Sequence, residues 1–281
     1  MLPSLPVQIQ TQPRVIPAAP PEPAPLNDLG AVLSPSQVRT FRDCGAKWYF
    51  KYALGLPDPP NGSLVRGRVV HQMAETFFRA RLEGATPDPD DLQASFEEAW
   101  DAASAGAAFG ADEDVDLLKR QAAVLTRKYL DEVAPEVQPA AVELPIQGTI
   151  AGVKVRGFID LLDVQGRIID LKTAARKPTG LSADYAFQVA TYRQLCLGAS
   201  GKARVDTLVA TKSPQVVTQE YTVSPADLKM TEKLYPLVQE AMQEGIYLPN
   251  RASNLCSYRH CAFATACEAE FGGRVKGNEE E

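Results

Sequence analysis

Asp170 and Lys172 are separated by one residue in a short β-rich segment, and both could take part in chemistry. Side chains alternate between the two faces of a strand, so the carboxylate and the ammonium group point to one face and Leu171 points to the other. Alone, such a pair is most often an ion pair at the protein surface. A reactive pair is the alternative, and the neighbouring residues decide between them.

A second carboxylate lies upstream of this pair. Asp160 ends a predicted strand that contains Gly157, and a turn at residues 163–167 would pair this strand with the one that carries Asp170. The two carboxylates then converge at neighbouring strand positions. Converging carboxylate oxygens suit a hard divalent cation such as Mg²⁺. The two acids therefore predict a metal site on this part of the sheet.

Cysteines form a second candidate site. Cys256, Cys261 and Cys267 lie near the C-terminus with the spacing C-x4-C-x5-C. Cytosolic proteins seldom contain a disulfide framework, so clustered thiols indicate metal binding or catalysis. Cys44 is the best candidate for a fourth ligand, because Cys196 falls in an apolar helical segment that is typical of core packing. Four thiolates suit zinc or an iron–sulfur cluster, and His260 could replace one of them in a zinc site.

Hydrophobic spacing predicts the elements that position these residues. The first half of the chain is helical, whereas the second half combines short strands with helices. In chain order we expect helices near 34–44, from 67, at 89–102 and at 114–133, strands at 142–144, 150–155 and 167–172, a helix at 185–197, strands at 205–211 and 216–223, and a helix at 224–244. This order predicts an α/β (α+β) fold in which helices flank a central mixed β-sheet.

The composition is that of a globular protein. A chain of 281 residues, 45% of them hydrophobic, can form a sizeable core. We expect one domain over residues 31–272, preceded by a disordered proline-rich arm at 1–30 and followed by a disordered polar tail at 273–281. Neither a leader peptide nor a long apolar run is recognisable, so we expect a cytoplasmic protein with no membrane partner.

The net charge limits how the chain could bind nucleic acid. A formal net charge of -6 argues against binding by bulk electrostatics, which relies on many basic residues. Any contacts between the protein and nucleic acid must therefore be local or be bridged by a metal ion. Basic candidates are Lys47, Arg66, Arg68, Arg176, Lys177 and Lys212, and aromatic candidates are Trp48, Tyr49 and Tyr52. We expect the basic residues to contact DNA, and the aromatic residues to pack at the cysteine end of the fold rather than stack on bases.

Four short motifs occur in a specific order. They are Gly67 to His71, Gly157 to Asp160, Asp170-Leu171-Lys172 and Gln188 to Tyr192. This set resembles the RecB-like branch of the PD-(D/E)XK nuclease superfamily, whose pattern is a helical His, a Gly-x-x-Asp strand end, an Asp/Glu-x-Lys strand and a Gln-x-x-x-Tyr helix. Each motif is weak alone, but all four are matched in order.

The resemblance implies a restriction-endonuclease-like core and a metal-dependent DNA nuclease. It implies that His71, Asp160, Asp170 and the backbone carbonyl of Leu171 ligate Mg²⁺ or Mn²⁺, and that Lys172 orients or activates the attacking water. Gln188 and Tyr192 would position Lys172 and the DNA backbone. Phosphodiester cleavage needs a hydroxide nucleophile and stabilisation of charge on the phosphate, and a divalent ion supplies both. The implied activity is that of an exonuclease on single-stranded DNA or DNA ends.

The cysteine spacing carries a second resemblance. One cysteine before the core and three after it is similar to the iron–sulfur RecB-like nucleases, which include the AddB C-terminal domain and the four-cysteine CRISPR-associated nucleases. The resemblance implies a 4Fe–4S cluster, with zinc as the alternative, that joins the N- and C-terminal ends of the domain through Cys44, Cys256, Cys261 and Cys267. Four residues separate Cys256 from Cys261, where the commonest family version has two.

A different class of function is the alternative. The same fold could be a catalytically silent module for DNA binding or assembly, with a structural zinc or iron–sulfur site. The presence of His71, Asp160, Asp170 and Lys172 argues against it. The nuclease interpretation is compatible with a role in recombination, repair or the processing of phage or mobile-element DNA, with a helicase or recombination protein as partner.

Overall fold

Six strands form one mixed sheet with helices on both faces. The computed structural model describes residues 30–277, so the predicted arm, apart from Gly30, lies outside the described residues. The elements are β1 (Val32–Leu33), α1 (Pro35–Asp43), α2 (Gly45–Trp48) with a π-helical turn (Tyr49–Ala53), α3 (Gly62–Leu82), α4 (Pro89–Ser104), α5 (Val115–Glu132), a 3₁₀ turn (Ala134–Glu136), β2 (Pro139–Ile150), β3 (Val153–Asp163), β4 (Ile168–Ala174), α6 (Ala183–Leu195), β5 (Lys202–Val209), β6 (Gln215–Thr222), α7 (Pro225–Gln243) and α8 (Ala264–Phe271). The predicted mixed α/β fold is confirmed.

The sheet has the order β2-β3-β4-β5-β6. The edge of β3 that faces away from β2 pairs with β1 at one end and with β4 at the other. β3 is antiparallel to β2 and β4, whereas β4 and β5 are parallel. A parallel pair requires a crossover connection, and α6 provides it. β4, which carries Asp170 and Lys172, therefore lies at the centre of the sheet.

Two layers of helices cover the sheet. On one face, Val70 and Phe78 of α3 and Tyr129 of α5 pack in a cluster with Ile169 and Leu171 of β4. α4 packs outside α3 and α5. On the other face, a second cluster joins α6 to β2, β3, β4 and β5, and α7 packs against β1 and β3. These two apolar layers hold the central strands in place.

The β2–β3 connection differs from the sequence prediction. We expected one strand at 150–155, but Ile150 and Val153 pair with each other across a tight hairpin turn. Ala151 and Gly152 have φ values of 47° and 86°, and two positive φ angles are typical of the hairpin turn that matches strand twist. Apolar residues flank this turn on both sides, so the sequence pattern predicts one continuous strand.

The start of α3 also differs. We expected it at Gly67, but Asn61 caps the helix by accepting a hydrogen bond from the Leu64 N–H at 3.0 Å, and the helix begins at Gly62. Gly67 lies inside the helix, where an added Cβ would be 3.2 Å from Thr173 Oγ1. Its lack of a side chain therefore lets α3 approach β4 closely.

The C-terminal segment belongs partly to the described fold. We predicted a disordered tail from residue 273, of which 278–281 lie outside the described residues. Val275 is buried, and Lys276 pairs with Ser257 in an isolated bridge. Packed residues thus extend beyond Gly272. Among residues 30–277, no helix has the length and apolar composition needed to cross a membrane.

A buried polar network joins β5, β6 and α5. Asp206 is fully buried and accepts hydrogen bonds from Arg204 Nε at 2.7 Å and from Thr218 Oγ1 at 2.8 Å. The Tyr129 hydroxyl approaches its other oxygen at 3.4 Å. A buried carboxylate needs such partners because it has lost its hydration. The network therefore holds α5 against the sheet.

We expect Asp206→Ala to lower the free energy of unfolding by about 3–5 kcal/mol, because it leaves the Arg204 guanidinium buried without its partner. Urea denaturation measures this loss. The control is Asp112→Ala, whose ion pair with Arg259 is exposed and should contribute about 0–1 kcal/mol. Equal losses in the two variants would show that the network contributes no special stability.

Candidate functional site

The predicted catalytic residues meet where β3, β4, α3 and α6 come together. β3 and β4 are antiparallel, with Leu161 opposite Ile169. The Leu171 N–H donates a hydrogen bond to Asp160 Oδ2 at 2.9 Å, and His71 Nδ1 lies 3.6 Å from the same oxygen. The two strands and the helix therefore bring His71, Asp160 and the Asp170-Leu171-Lys172 segment into one site.

Glu143 on β2 completes this group, although it is not among the residues predicted from the sequence. The register places Val142 opposite Leu161 and Leu144 opposite Ile159, so Glu143 lies beside Asp160. The ligand atoms of His71, Glu143 and Asp160 all lie within 4.8 Å of one another. The only signal in the sequence was an acid within a β-rich segment.

An irregular backbone turns Glu143 towards the site. Val142 packs in the cluster on the α3 face and Leu144 packs in the cluster on the α6 face, although alternate residues of a regular strand share a face. Glu143 has a φ of 48°, in the left-handed region that non-glycine residues seldom adopt. Such strain is characteristic of functional positions, where the surrounding structure maintains it.

The charges around Glu143 favour a cation. Burial, together with the carboxylates of Asp160 and Glu75, raises the pKa of Glu143 to about 7. Two carboxylates and one imidazole are suitable ligands for Mg²⁺ or Mn²⁺. His71, Glu143 and Asp160 therefore fit a divalent ion.

Asp170 and Lys172 form the second half of the site. Lys172 Nζ lies 2.5 Å from Asp170 Oδ2, and both side chains point to the α6 face while Leu171 is buried on the other face. This is the alternation that the sequence predicted. Burial raises the pKa of Asp170, and the Lys172 ammonium opposes this shift. Burial lowers the pKa of Lys172, but the carboxylates of Asp170 and Asp160 outweigh this and raise it.

Gln188 and Tyr192 hold Asp170 from α6. Gln188 Nε2 donates to Asp170 Oδ1 at 2.9 Å and to the Tyr192 hydroxyl at 3.0 Å. Gly157 makes room for the Tyr192 ring, since an added Cβ would lie 2.7 Å from Tyr192 Cε1. Asp170 lies beside the group of His71, Glu143 and Asp160 rather than within it. Its role and that of the Leu171 carbonyl as metal ligands stay predictions.

The four predicted cysteine ligands line one cavity. Cys44, Cys256, Cys261 and Cys267 surround a space of about 260 Å³, whereas Cys196 is buried in the core under α6. Burial raises the pKa of both the Cys261 and the Cys267 thiol. Hydrogen bonds already join the chain ends here, for example from Asn250 Nδ2 to the Asp43 carbonyl at 2.9 Å.

Arg251 gives this cavity a fixed positive charge. Its Nη2 donates to the carbonyls of Cys267 and Gly272 at 3.2 and 2.7 Å. Its Nη1 is buried and has no hydrogen-bond partner among the described residues. A buried donor without a partner is costly, and thiolates or inorganic sulfide would satisfy it. The cavity therefore fits a negatively charged metal–thiolate centre.

The predicted DNA contacts have different environments. Arg68 is exposed and lines a groove with His71 and Lys172, as expected for a DNA contact. Arg66 is buried, and its Nη1 donates to Gln121 Oε1 at 2.8 Å, so the expectation that it contacts DNA is wrong. Lys47 lines the cysteine cavity instead. Arg176, Lys177 and Lys212 are exposed.

The predicted packing of the aromatic residues is observed. Trp48 is buried and stacks on Tyr247 with the ring centroids 5.8 Å apart. Tyr49 stacks on the same ring at 4.7 Å, and Tyr52 packs against Trp48 at 5.8 Å. The rings therefore pack against one another and form part of the core beside α1.

Comparisons with known proteins identify the family and the fold of the chain. The family model described as the PD-(D/E)XK nuclease superfamily matches residues 32–268. The fold is similar to that of a protein from Eubacterium rectale that carries the provisional description of exonuclease, with a TM-score of 0.56, 13% identity and coverage of 88% of this chain and 91% of that chain. SSO0001 matches with a TM-score of 0.35, 15% identity and coverage of 76% and 87%. No curated protein matches the chain.

The raised pKa of Glu143 predicts a pH dependence of stability in metal-free protein. An unfolded glutamate has a pKa of 4.5, whereas that of Glu143 in the fold is about 7, so ionisation opposes folding and stability falls as the pH rises from 4.5 to 7. We expect Glu143→Gln to remove this loss and to be about 1–3 kcal/mol more stable than wild type at pH 8.

Urea denaturation in chelator at pH 5 and pH 8 measures the difference. Glu136→Gln, at an exposed position, is the matched control and should keep the wild-type profile. Parallel profiles for wild type and Glu143→Gln would contradict the prediction.

Proposed function

Because the chain belongs to the PD-(D/E)XK nuclease superfamily, we propose that it is a metal-dependent DNA nuclease of the RecB-like branch. The supporting observation is the convergence of His71, Glu143 and Asp160 within 4.8 Å, beside the Asp170–Lys172 pair. An exonuclease acting on single-stranded DNA or DNA ends is the activity that we propose. The provisional description of the E. rectale protein is compatible with it.

We propose that His71, Glu143 and Asp160 hold Mg²⁺ or Mn²⁺, with Asp170 and the Leu171 carbonyl adjacent. The ion supplies positive charge at the phosphate and makes water more acidic. The ligands are fixed before substrate binds, because the Leu171 N–H holds Asp160 and Gln188 holds Asp170. Such preorganisation avoids reorganisation during the reaction.

Lys172 has a separate role in this proposal. Its ammonium group is held beside Asp170 and stays charged at neutral pH because the nearby carboxylates raise its pKa. A fixed positive charge stabilises the extra negative charge that develops on the phosphate during attack. Lys172 would also orient the attacking water by hydrogen bonding. Gln188 holds Asp170 by a hydrogen bond, and Asp170 in turn holds Lys172.

We propose that the cysteine cavity holds a 4Fe–4S cluster. Zinc binds four thiolates at about 2.3 Å, which requires sulfur atoms within roughly 4 Å of one another. Among the described residues, no three cysteines have sulfur atoms within 4.8 Å of one another, which supports the larger cluster over a single zinc ion. The cluster would join the chain ends and stabilise the fold. Three further expectations stay predictions: a helicase or recombination partner, a role in recombination, repair or phage DNA processing, and the cytoplasmic location.

Replacement of Lys172 tests the nuclease proposal. We expect Lys172→Ala to lower the rate of Mg²⁺- or Mn²⁺-dependent cleavage of labelled DNA by about 10²–10³-fold, because a preorganised positive group is lost. Lys233→Ala, at an exposed position on α7, is the control and should cleave like wild type. Circular dichroism checks that the variants fold. Wild type that binds DNA but does not cleave it with either ion would favour the silent binding module.

Replacement of a cysteine tests the cluster. Anaerobically purified wild type should be brown and contain about four irons and four sulfides per chain. Cys267→Ser should lose the colour and most of the iron, whereas Cys196→Ser should keep both because that side chain lies in the core. Colourless wild type with one zinc ion per chain would contradict the iron–sulfur assignment.

A further inference from the structure

β3 presents a row of exposed residues that leads to the proposed metal site. Lys154, Arg156 and Phe158 alternate with buried or half-buried residues and are all exposed. The next position in this alternation is Asp160. Alternate residues on a strand are about 6.5–7 Å apart, so the row extends roughly 20 Å. Two cations and one aromatic ring therefore lie in line with a proposed metal ligand.

Phe158 is unusually exposed for an aromatic residue. Its exposed fraction is 57%, and no other aromatic ring of residues 30–277 contacts its ring. Phe271, which is 38% exposed, contacts the Phe50 ring in an edge arrangement. Phe158 pairs with Pro145 across the β2–β3 ladder, so its backbone is fixed in the sheet. The backbone that carries the ring is thus fixed, while the ring itself is exposed.

A groove connects Phe158 to the catalytic residues. It has a volume of about 1020 Å³ and is lined by Arg156, Phe158, Asp160, Gln188, Tyr192 and Ser36, among others. β3 pairs with β1 at Lys154 and Val155 and with β4 at Leu161 and Leu162, and the groove lies along the segment between these two pairings. Arg156, Phe158 and the site share one continuous surface.

The β3 row carries two basic side chains that lack a carboxylate partner among the described residues, although the chain as a whole is acidic. The net charge is -6, yet Lys154 and Arg156 form no ion pair with any residue that the structure describes. On α1, by contrast, Arg39 and Arg42 both form ion pairs with Asp184. Unpaired cations beside an aromatic ring are the combination that binds single-stranded nucleic acid: cations contact phosphates and the ring stacks on a base.

We propose that Phe158 is a specificity-determining residue that stacks on an unpaired base of the DNA strand entering the site, while Lys154 and Arg156 contact its phosphates. This inference deepens the nuclease proposal and rests on it. In duplex DNA the faces of a base are covered by its neighbours, so stacking on Phe158 requires the duplex to open. The ring therefore favours single-stranded DNA over duplex DNA at this point of the groove.

Binding without divalent ion tests the inference without cleavage. The probes are a fluorescein-labelled single-stranded oligonucleotide and a blunt hairpin duplex, measured by anisotropy, and a single strand containing 2-aminopurine, whose fluorescence falls when it stacks on an aromatic ring. We expect Phe158→Ala to bind the single strand about 5- to 100-fold more weakly, to bind the duplex unchanged and to lose the 2-aminopurine quenching. Phe158→Trp should restore both affinity and quenching.

Two further variants separate stacking from charge and from general surface effects. Arg156→Gln should keep the quenching but lower the slope of log affinity against log salt by about 0.7 for the single strand, because one phosphate contact is lost. Leu197→Ala, at a fully exposed position outside the groove, should match wild type.

The outcomes distinguish this inference from the nuclease proposal. Unchanged single-strand affinity and quenching in Phe158→Ala would overturn the inference, even if wild type cleaves DNA with Mg²⁺. An equal loss of affinity for single strand and duplex would also overturn it. Wild type that shows the Phe158-dependent quenching but no cleavage in Mg²⁺ or Mn²⁺ would support the stacking contact and contradict the nuclease proposal.

Discussion

One hydrogen bond joins the two strands that carry the proposed chemistry. The Leu171 N–H donates to Asp160 Oδ2 at 2.9 Å, next to the short stretch in which β3 and β4 pair. Leu171 itself is fixed by its burial in the core. The bond therefore fixes the Asp160 carboxylate relative to Asp170 and Lys172, in addition to the strand pairing that holds β3 beside β4.

The balance of charge explains why the site favours a cation. Lys172 compensates Asp170 directly, at 2.5 Å. Glu143 and Asp160 lie close together beside the His71 imidazole, and burial and the neighbouring carboxylates raise the pKa of Glu143 more than Arg79 lowers it. Either a proton or a cation relieves this repulsion. A divalent ion does so without protonating its ligands, so the same residues can stay charged at neutral pH.

The sequence predicted the parts of the site that depend on local periodicity. Asp170 and Lys172 share a strand face, and Gln188 and Tyr192 share a helix face, because both spacings follow from the geometry of one element. Glu143 and Phe158 could not be found in this way. The position of Glu143 depends on the register of β2 and on a left-handed backbone angle. Phe158 lies on the segment of β3 between its pairings with β1 and β4, and this arrangement is not visible in the sequence. Arg66 was misplaced because the sequence does not show which face of α3 meets α5.

Helix α1 links the proposed cluster to the proposed DNA groove. Ser36, in the first turn of α1, lines both the groove and the cysteine cavity, and Cys44 directly follows the last residue of the helix. Arg39 also joins α1 to α6 through an ion pair of 3.3 Å with Asp184. A cluster bound to Cys44 would fix the end of α1, and α1 is a wall of the groove in which Gln188 and Phe158 lie. The cluster would thus shape the path of the DNA strand without contacting the phosphate that is cleaved.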